Sequence, residues 1–368
     1  MVRSGAGNVD RVDAITDVAG VRVGHAALTG EGALSGTTVV LVPPGGAVAA
    51  VDVRGGGPGT HETDALDPRA LVERVDAVVL TGGSAYGLAA VHGVMEWLEE
   101  RGRGVPVGPV AGQVVPVVPA AALLDLGRGG DFGLRPGPAL GRRAVEAASA
   151  AAAGAAVAQG SVGAGTGAVA GGLRGGVGSA SVCLEGGAVV GALVVVNAAG
   201  SVVDPGSGAL YGEFYAGRRD VWPRPEVHER ARRALDEARA TTRSRRGAPA
   251  EDGSAAVMNT TLAVVATNAD LTRAQVQKMA GTAHDGLARA IRPVHLMNDG
   301  DTVFGLALGA HPLAGMAEFN EVLGAAADAV CRAVVNAVRA AEGFDGPGGL
   351  FPSWRDLYGP EPGVQDGG

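Results

Sequence analysis

The sequence has little lysine, little cysteine and no long apolar run. Of 30 basic residues only Lys278 is a lysine, the net charge is −8, and no basic run follows a phosphate backbone. Nucleic acid is therefore not an expected partner. The two cysteines, Cys183 and Cys331, lie outside any CxxC pattern and indicate neither a disulfide framework nor a zinc site.

Apolar runs are short throughout the chain. No stretch reaches the roughly 18 apolar residues of a membrane span, and residues 1–10 lack the apolar segment of a secretory signal. We therefore expect a cytoplasmic protein with no membrane partner. With 368 residues, 46% of them hydrophobic, the chain can bury the core of one large or two smaller domains.

Glycine is abundant, with 62 residues clustered between apolar runs and without a fixed period, which excludes collagen-like and solenoid folds. Residues 75–101 predict a strand, a Gly-Gly turn and a helix. The alanine-rich segment 144–158 predicts a helix, and the runs 178–184 and 188–197 predict a hairpin.

Residues 218–256 are polar and charged with little apolar periodicity, which predicts a surface linker with one short helix around 226–240. Beyond it the pattern is regular again. Strands are predicted at 262–267 and 302–308 and helices at 272–291 and 315–341, a β-α-β-α unit.

Three familiar motifs nearly match. Gly83–Gly87 follows a strand as a nucleophile elbow does, but Ser84 comes directly after Gly83, so a helix N-cap is favoured. Gly163–Gly167 lacks the ending of a phosphate-binding loop, and a close backbone approach is the better interpretation. The nearest metal-like cluster, His61–Asp64, has no HExxH or HxH pair, so neither metal nor cofactor is predicted.

The polar segment ends at Met258 and Asn259, and an apolar strand begins with Thr260 and Thr261. An N-terminal-nucleophile enzyme needs this arrangement. A hydroxyl attacks the preceding carbonyl, and the freed α-amino group, with a pKa of about 7.7–8.0, then acts as general base. Alone the motif is weak, because threonine is common at strand starts, and Asn-x-Thr also spells a glycosylation site.

The whole chain resembles the family of the L-aminopeptidase/D-esterase, the β-peptidyl aminopeptidases and the nylon-oligomer hydrolase. Seven motifs, in this order, carry the resemblance: Ile15–His25, Leu80–Leu88, Gly163–Gly167, Gly175–Ser179, Val194–Asn197, Asn259–Thr261 and Asp299–Phe304.

The resemblance implies an α+β fold of the Ntn-hydrolase-like αββα type, two stacked mixed sheets with helices on both outer faces. It also implies cleavage between Asn259 and Thr260 into a large fragment, 1–259, and a small one, 260–368. A tetramer of processed protomers is expected.

Position by position, Thr260 matches the family's nucleophile and Asn197 matches the asparagine that holds the nucleophile and the oxyanion. Asp299 and Asp301 resemble the pair that orients the α-amino group, although Asp-Gly-Asp alone would predict only a turn. An acidic pair of this kind with a threonine nucleophile is closest to the nylon-oligomer type.

One departure concerns a lysine. The nylon-oligomer enzyme has an active-site lysine before its Gly-Gly strand, whereas this chain has Arg174 there, which keeps its charge and cannot act as a base. Arg174 and Tyr86 are the candidate substrate-binding residues.

The functional hypothesis is a self-processing amidohydrolase of short peptides or linear ω-amino-acid oligomers. One alternative is an aminopeptidase or esterase acting on small N-terminal residues or β-amino acids. Another, of a different class, is a nonprocessing protein that binds a metabolite or a metal.

Overall fold

The computed structural model describes residues 11–215, 222–246 and 258–359. The first sheet has five strands, which in spatial order are β1 (Arg22–Ala27), β2 (Gly36–Leu41), β6 (Ala77–Thr81), β9 (Ala120–Ala122) and β4 (Gly59–His61). Neighbouring strands are antiparallel except for β6 and β9, which run parallel. Every residue of β2 is buried, as expected for a β-branched run covered on both faces.

The second sheet has six strands, which in spatial order are β12 (Gly176–Cys183), β13 (Val189–Val196), β14 (Leu262–Ala269), β15 (Thr302–His311), β3 (Ala47–Val53) and β5 (Arg74–Val75). The predicted hairpin is formed by β12 and β13. β14 pairs antiparallel with β13 and parallel with β15, so the ends of three strands meet near residue 260.

Three short ribbons complete the strands: β7 (Val105–Pro106) with β8 (Val114–Val115), β10 (Val169–Ala170) with β11 (Leu173–Arg174), and β16 (Phe344–Gly346) with β17 (Gly349–Phe351). The α-helices of the described residues are α1 (Ser84–Gly87), α2 (Ala90–Glu99), α3 (Pro138–Ala150), α4 (Tyr211–Tyr215), α5 (Pro225–Arg246), α6 (Arg273–Ala290), α7 (Met316–Ala340) and α8 (Trp354–Tyr358).

Because successive side chains of a strand point to opposite faces of the sheet, β14 contributes side chains to two cores. Leu262 and Val264 face the first sheet, where they meet Val40 and Leu80, whereas Ala263 and Val265 face α6 and α7. Helices α2 and α3 cover the outer face of the first sheet. The layers are helix, sheet, sheet, helix, and the expected αββα sandwich is confirmed.

Two predicted elements differ in the structure. The alanine-rich helix is α3, which begins at Pro138 and ends at Ala150, so residues 151–158 are not helical and that part of the prediction is wrong. Within the predicted linker, α5 is 22 residues long and buries His228, Ala231 and Ala238. The rest of the linker lies largely outside the described residues.

Candidate active site

Thr260 lies just before β14, and Asn197 lies just after β13. The antiparallel pairing of Val195 with Leu262 brings these two ends together. The Thr260 amide donates to the main-chain oxygen of Asn197 over 2.6 Å, and both side chains are buried. The strand register therefore places the predicted nucleophile and the predicted asparagine side by side.

The carbonyl oxygen of Asn259 accepts two hydrogen bonds. Thr260 Oγ1 donates to it over 2.6 Å and the Gly300 amide over 2.9 Å. Only glycine fits at 300, because a Cβ there would lie 2.5 Å from Thr260 Oγ1. The hydroxyl thus lies against the peptide that it would attack, and an N–H group is in place for the developing negative charge.

Asp301 holds the residue after the nucleophile. Parallel pairing of Leu262 with Thr302 places Asp301 beside Thr261, whose amide donates to Asp301 Oδ1 over 2.7 Å. The other carboxylate oxygen, Oδ2, lies 2.8 Å from His295 Nδ1 and accepts from the His295 amide over 3.1 Å. This buried carboxylate is bonded from both sides and fixes the start of β14.

Asp299 is also buried and lies in the same turn. Its Oδ2 accepts from the Leu296 amide over 2.9 Å, and the Ala199 amide is a second main-chain donor to the carboxylate. Burial raises the pKa of this carboxyl group and the nearby Asp301 adds to the rise, whereas the two amides lower it. Asp299 therefore contributes a buried acceptor to the site.

Arg128, a residue that the sequence did not single out, lies at the centre of the site. Its Nη1 donates to the side-chain oxygen of Asn197 and, over 2.7 Å, to the Gly167 carbonyl. Its Nη2 donates to Asn259 Oδ1 over 3.1 Å. Burial lowers the pKa of the guanidinium to about 10, so it stays charged at neutral pH.

The bond from Arg128 orients the Asn197 amide group. Asn197 Oδ1 also accepts from the Val169 amide over 3.1 Å, and two donors on one atom identify that atom as oxygen. Its Nδ2 is left with a long, 3.4 Å bond to the Leu124 carbonyl. The NH2 group of Asn197 therefore lies on the side away from Arg128 and makes only one long hydrogen bond.

Asp125 lies fully buried beneath this cluster. Its Oδ1 accepts from the Gly83 amide over 2.7 Å, and burial raises the pKa of the carboxyl group to about 6. The bond from Gly83 and the charge of Arg128 oppose the rise, and the Arg128 amide donates to the Asp125 carbonyl over 3.1 Å. Gly167 packs tightly on Asp125, since a Cβ there would lie 2.7 Å from its side chain, as the close-approach interpretation predicted.

The two candidate substrate-binding residues occupy different environments. Tyr86 is 57% exposed and lies beneath the guanidinium of Arg135. Arg174 is buried and donates to the Thr166 carbonyl over 2.6 Å and to Ser161 Oγ over 3.0 Å. That either contacts substrate stays a prediction.

The metal-like cluster makes ordinary backbone bonds. His61 Nδ1 lies 3.2 Å from the Val118 carbonyl, and Glu62 accepts from the Val118 amide over 2.8 Å. Within the described ranges, no group of three or more His, Cys, Asp and Glu side chains could hold a metal ion. Nor is any helix in this part of the chain long and apolar enough to cross a membrane.

Two stacked sheets covered by helices, with the site at the strand ends, define an Ntn-hydrolase-like fold. A solved structure of this kind is the L-aminopeptidase D-Ala-esterase/amidase of Ochrobactrum anthropi. Its sequence is 23% identical to this chain and its structure superimposes with a TM-score of 0.64. The match covers 93% of this chain and 90% of that one.

Residues 13–350 match peptidase family S58. The chain is 46% identical to an uncharacterized aminopeptidase of Mycobacterium leprae over 93% of this chain and 95% of that protein. It is 30% identical to the 6-aminohexanoate-oligomer endohydrolase of a Kocuria species over 78% of this chain and 73% of that protein. The chain belongs to peptidase family S58 and is a hydrolase that acts on amide bonds.

Proposed function

We propose that the chain cleaves itself between Asn259 and Thr260 and then uses Thr260 to hydrolyse amide bonds in short peptides or linear ω-amino-acid oligomers. The observation that carries the proposal is the pair of bonds to the Asn259 carbonyl, from Thr260 Oγ1 over 2.6 Å and from Gly300 N over 2.9 Å.

In the first reaction the Thr260 oxygen adds to the Asn259 carbonyl carbon while the Gly300 amide bonds the developing oxyanion. The C–N bond then breaks as the nitrogen takes up the proton that Oγ1 has lost, which leaves Asn259 as an ester on Oγ1. Water hydrolyses the ester to a carboxylate on Asn259 and a free hydroxyl on Thr260. The new α-amino group stays beside the Asn197 carbonyl, its partner before cleavage.

In the second reaction the neutral α-amino group takes the hydroxyl proton as Thr260 attacks a substrate amide. The α-amino group then gives that proton to the leaving amine as the C–N bond breaks, and water hydrolyses the ester left on Oγ1. Asp301 keeps Thr261 in place, and Asp299 is the candidate acceptor for the α-amino group. Asn197 Nδ2 is the candidate donor to the substrate oxyanion. Each of the four predicted catalytic residues thus has a separate task.

The test is intact mass combined with two matched variants. Wild type should yield fragments 1–259 and 260–368, Thr260→Ala should stay whole, and Thr261→Val, which changes the neighbouring buried hydroxyl, should still be cut. An active wild-type protein that is never cleaved would contradict the proposal. An uncleaved, inactive protein that retained a ligand would favour the alternative of a nonprocessing metabolite- or metal-binding protein.

A second candidate is an aminopeptidase or esterase for small N-terminal residues or β-amino acids. The aminopeptidase relative is more similar and matches over a larger share of both proteins than the oligomer hydrolase does. Rates on alanyl, β-alanyl and 6-aminohexanoyl amides separate the candidates. The tetramer and the cytoplasmic location stay predictions, and sedimentation of the processed protein tests the first.

A further inference from the structure

Asn259 occupies the acyl side of the site in the uncut chain. Its own carbonyl is the one that Thr260 Oγ1 contacts, so its side chain marks where the acyl residue of a substrate would lie. That side chain is buried and bonded to Arg128, over 3.1 Å from Nη2 to Oδ1. The chain therefore carries an internal example of a bound acyl residue.

The main chain of Asn259 is held in the same way as an added strand. It bridges Asp299 in parallel, its N–H donates to the Asn298 carbonyl over 3.0 Å, and its carbonyl accepts from Gly300. The preceding Met258 is 39% exposed, so the position before the acyl residue opens to solvent. A substrate amino group could take the place of the Asn259 amide.

Once Asn259 leaves, Arg128 loses the acceptor of its Nη2 group while staying buried. Its Nη1 keeps the bonds to Asn197 and Gly167, but a buried Nη2 group without an acceptor is costly, so an acyl residue that restores the bond is favoured over an apolar residue of equal size. Arg174 and Arg246 act on the same guanidinium by charge, and Asp125 is the acid that opposes them. This surrounding charge suits an acceptor that is neutral or negative.

We propose that the acyl pocket takes a residue with a carboxamide or carboxylate one methylene from Cα, an asparaginyl or aspartyl residue, and that Arg128 recognises that group. The proposal rests on the proposed function, because it needs a processed enzyme that hydrolyses amides. Arg128 would then determine specificity as well as orient Asn197.

The experiment compares kcat/KM of the processed wild-type enzyme on the p-nitroanilides of Asp, Asn, Leu and Ala. Leucine is the matched control, because it is close to asparagine in size and offers no acceptor. We expect Asp and Asn to exceed Leu by about tenfold or more, the worth of one hydrogen bond to a charged group. Leu or Ala hydrolysed as well as Asp and Asn would overturn the proposal.

Arg128→Met should bring Asn and Leu to similar values, whereas Arg69→Met, at an exposed position, should leave the preference intact. A preference that survives Arg128→Met would overturn the role of Arg128. If that variant fails to mature, the test is the rate of self-cleavage of Asn259→Asp and Asn259→Leu precursors. We expect the leucine variant to be cut more slowly, and equal rates would overturn the proposal. A wild type that hydrolyses none of the anilides and is never cut would instead refute the proposed function.

Discussion

Thr260 and Thr261 are adjacent buried threonines with different surroundings. The hydroxyl of Thr260 donates to the carbonyl before it, while that of Thr261 has no hydrogen-bond partner among the described residues. Of the two threonines, only Thr260 is among the nearest neighbours of a Cβ placed at Gly300. The position of a hydroxyl relative to one carbonyl, rather than residue type, therefore selects the candidate nucleophile.

Asp301→Asn should slow self-cleavage. The amide keeps one oxygen for the Thr261 N–H, but its NH2 group then faces the His295 amide, a second donor. Loss of one charge-assisted bond predicts a rate lower by roughly 10- to 100-fold, followed by mass during cell-free synthesis. Asp270→Asn, at an exposed position after β14, is the control. Cleavage of Asp301→Asn at the wild-type rate would contradict this role.

Thr260 stood out because it begins an apolar strand after a polar segment, whereas Asn197, Asp299 and Asp301 were assigned because their motifs resemble those of the family. Arg128 had no such signal. It is one of 29 arginines, it lies far along the chain from its partners, and only the folded structure brings it to them.

At the scale of elements, glycines in the strands set how closely the helices approach. A Cβ on Gly178 of β12 would lie 1.9 Å from the Ala333 carbonyl of α7, and one on Gly24 of β1 would lie 2.2 Å from the Ala144 carbonyl of α3. Both helix–sheet interfaces therefore require glycine on the strand, because a side chain there would collide with the main chain of the helix. This gives the abundant glycine a packing function besides its place in turns.

Gly178→Ala should therefore destabilise the fold by pushing α7 away from the sheet. Overpacking of this kind costs about 1–3 kcal/mol, measured as a lower thermal unfolding midpoint. The matched control is Gly324→Ala in α7, where a Cβ meets nothing within 4 Å and should instead stabilise by about 0.5–1 kcal/mol. Equal midpoints for the two variants would refute the packing argument.

The boundaries of two helices, α3 and α5, were predicted poorly for identifiable reasons, whereas α6 and α7 lie within one residue of their predicted bounds. α3 begins at Pro138, a residue favoured in the first turn, but the alanine content drew the prediction towards residues 151–158. Gly154, with φ of +68°, lies within that stretch and is incompatible with a continuing helix. α5 also begins at a proline, and its Ala, Arg and Glu residues favour helix without apolar periodicity.

For the whole molecule, His25, His284 and Asp125 have the largest pKa shifts that bear on stability in mild acid, and the raised pKa of Asp299 acts in the same sense as that of Asp125. Burial lowers the pKa of His25 and of His284 to about 4, and it raises the pKa of Asp125 to about 6. Below pH 6.5 the unfolded chain takes up histidine protons that the folded protein does not, so stability falls. Asp125 acts in the opposite sense below pH 6, because its folded form binds a proton first.

Two histidines outweigh one aspartate, so the free energy of unfolding should be lower at pH 5 than at pH 7 by roughly 2–3 kcal/mol. His25→Gln should roughly halve or abolish this difference, and His92→Gln, exposed on α2, should preserve it. Unfolding midpoints across this pH range are the measurement. Stability that is equal or higher at pH 5 would contradict the assignment.

The parallel bridge between Asn259 and Asp299 has a consequence for timing. Cutting the peptide bond does not remove Asn259 from its groove, because its N–H bond to Asn298 is untouched by the reaction. The new chain end at Asn259 stays within the same folded protein. It therefore competes with substrate at a high effective concentration that dilution does not reduce. Activity should then lag behind cleavage, by the time that the new chain end takes to vacate the groove.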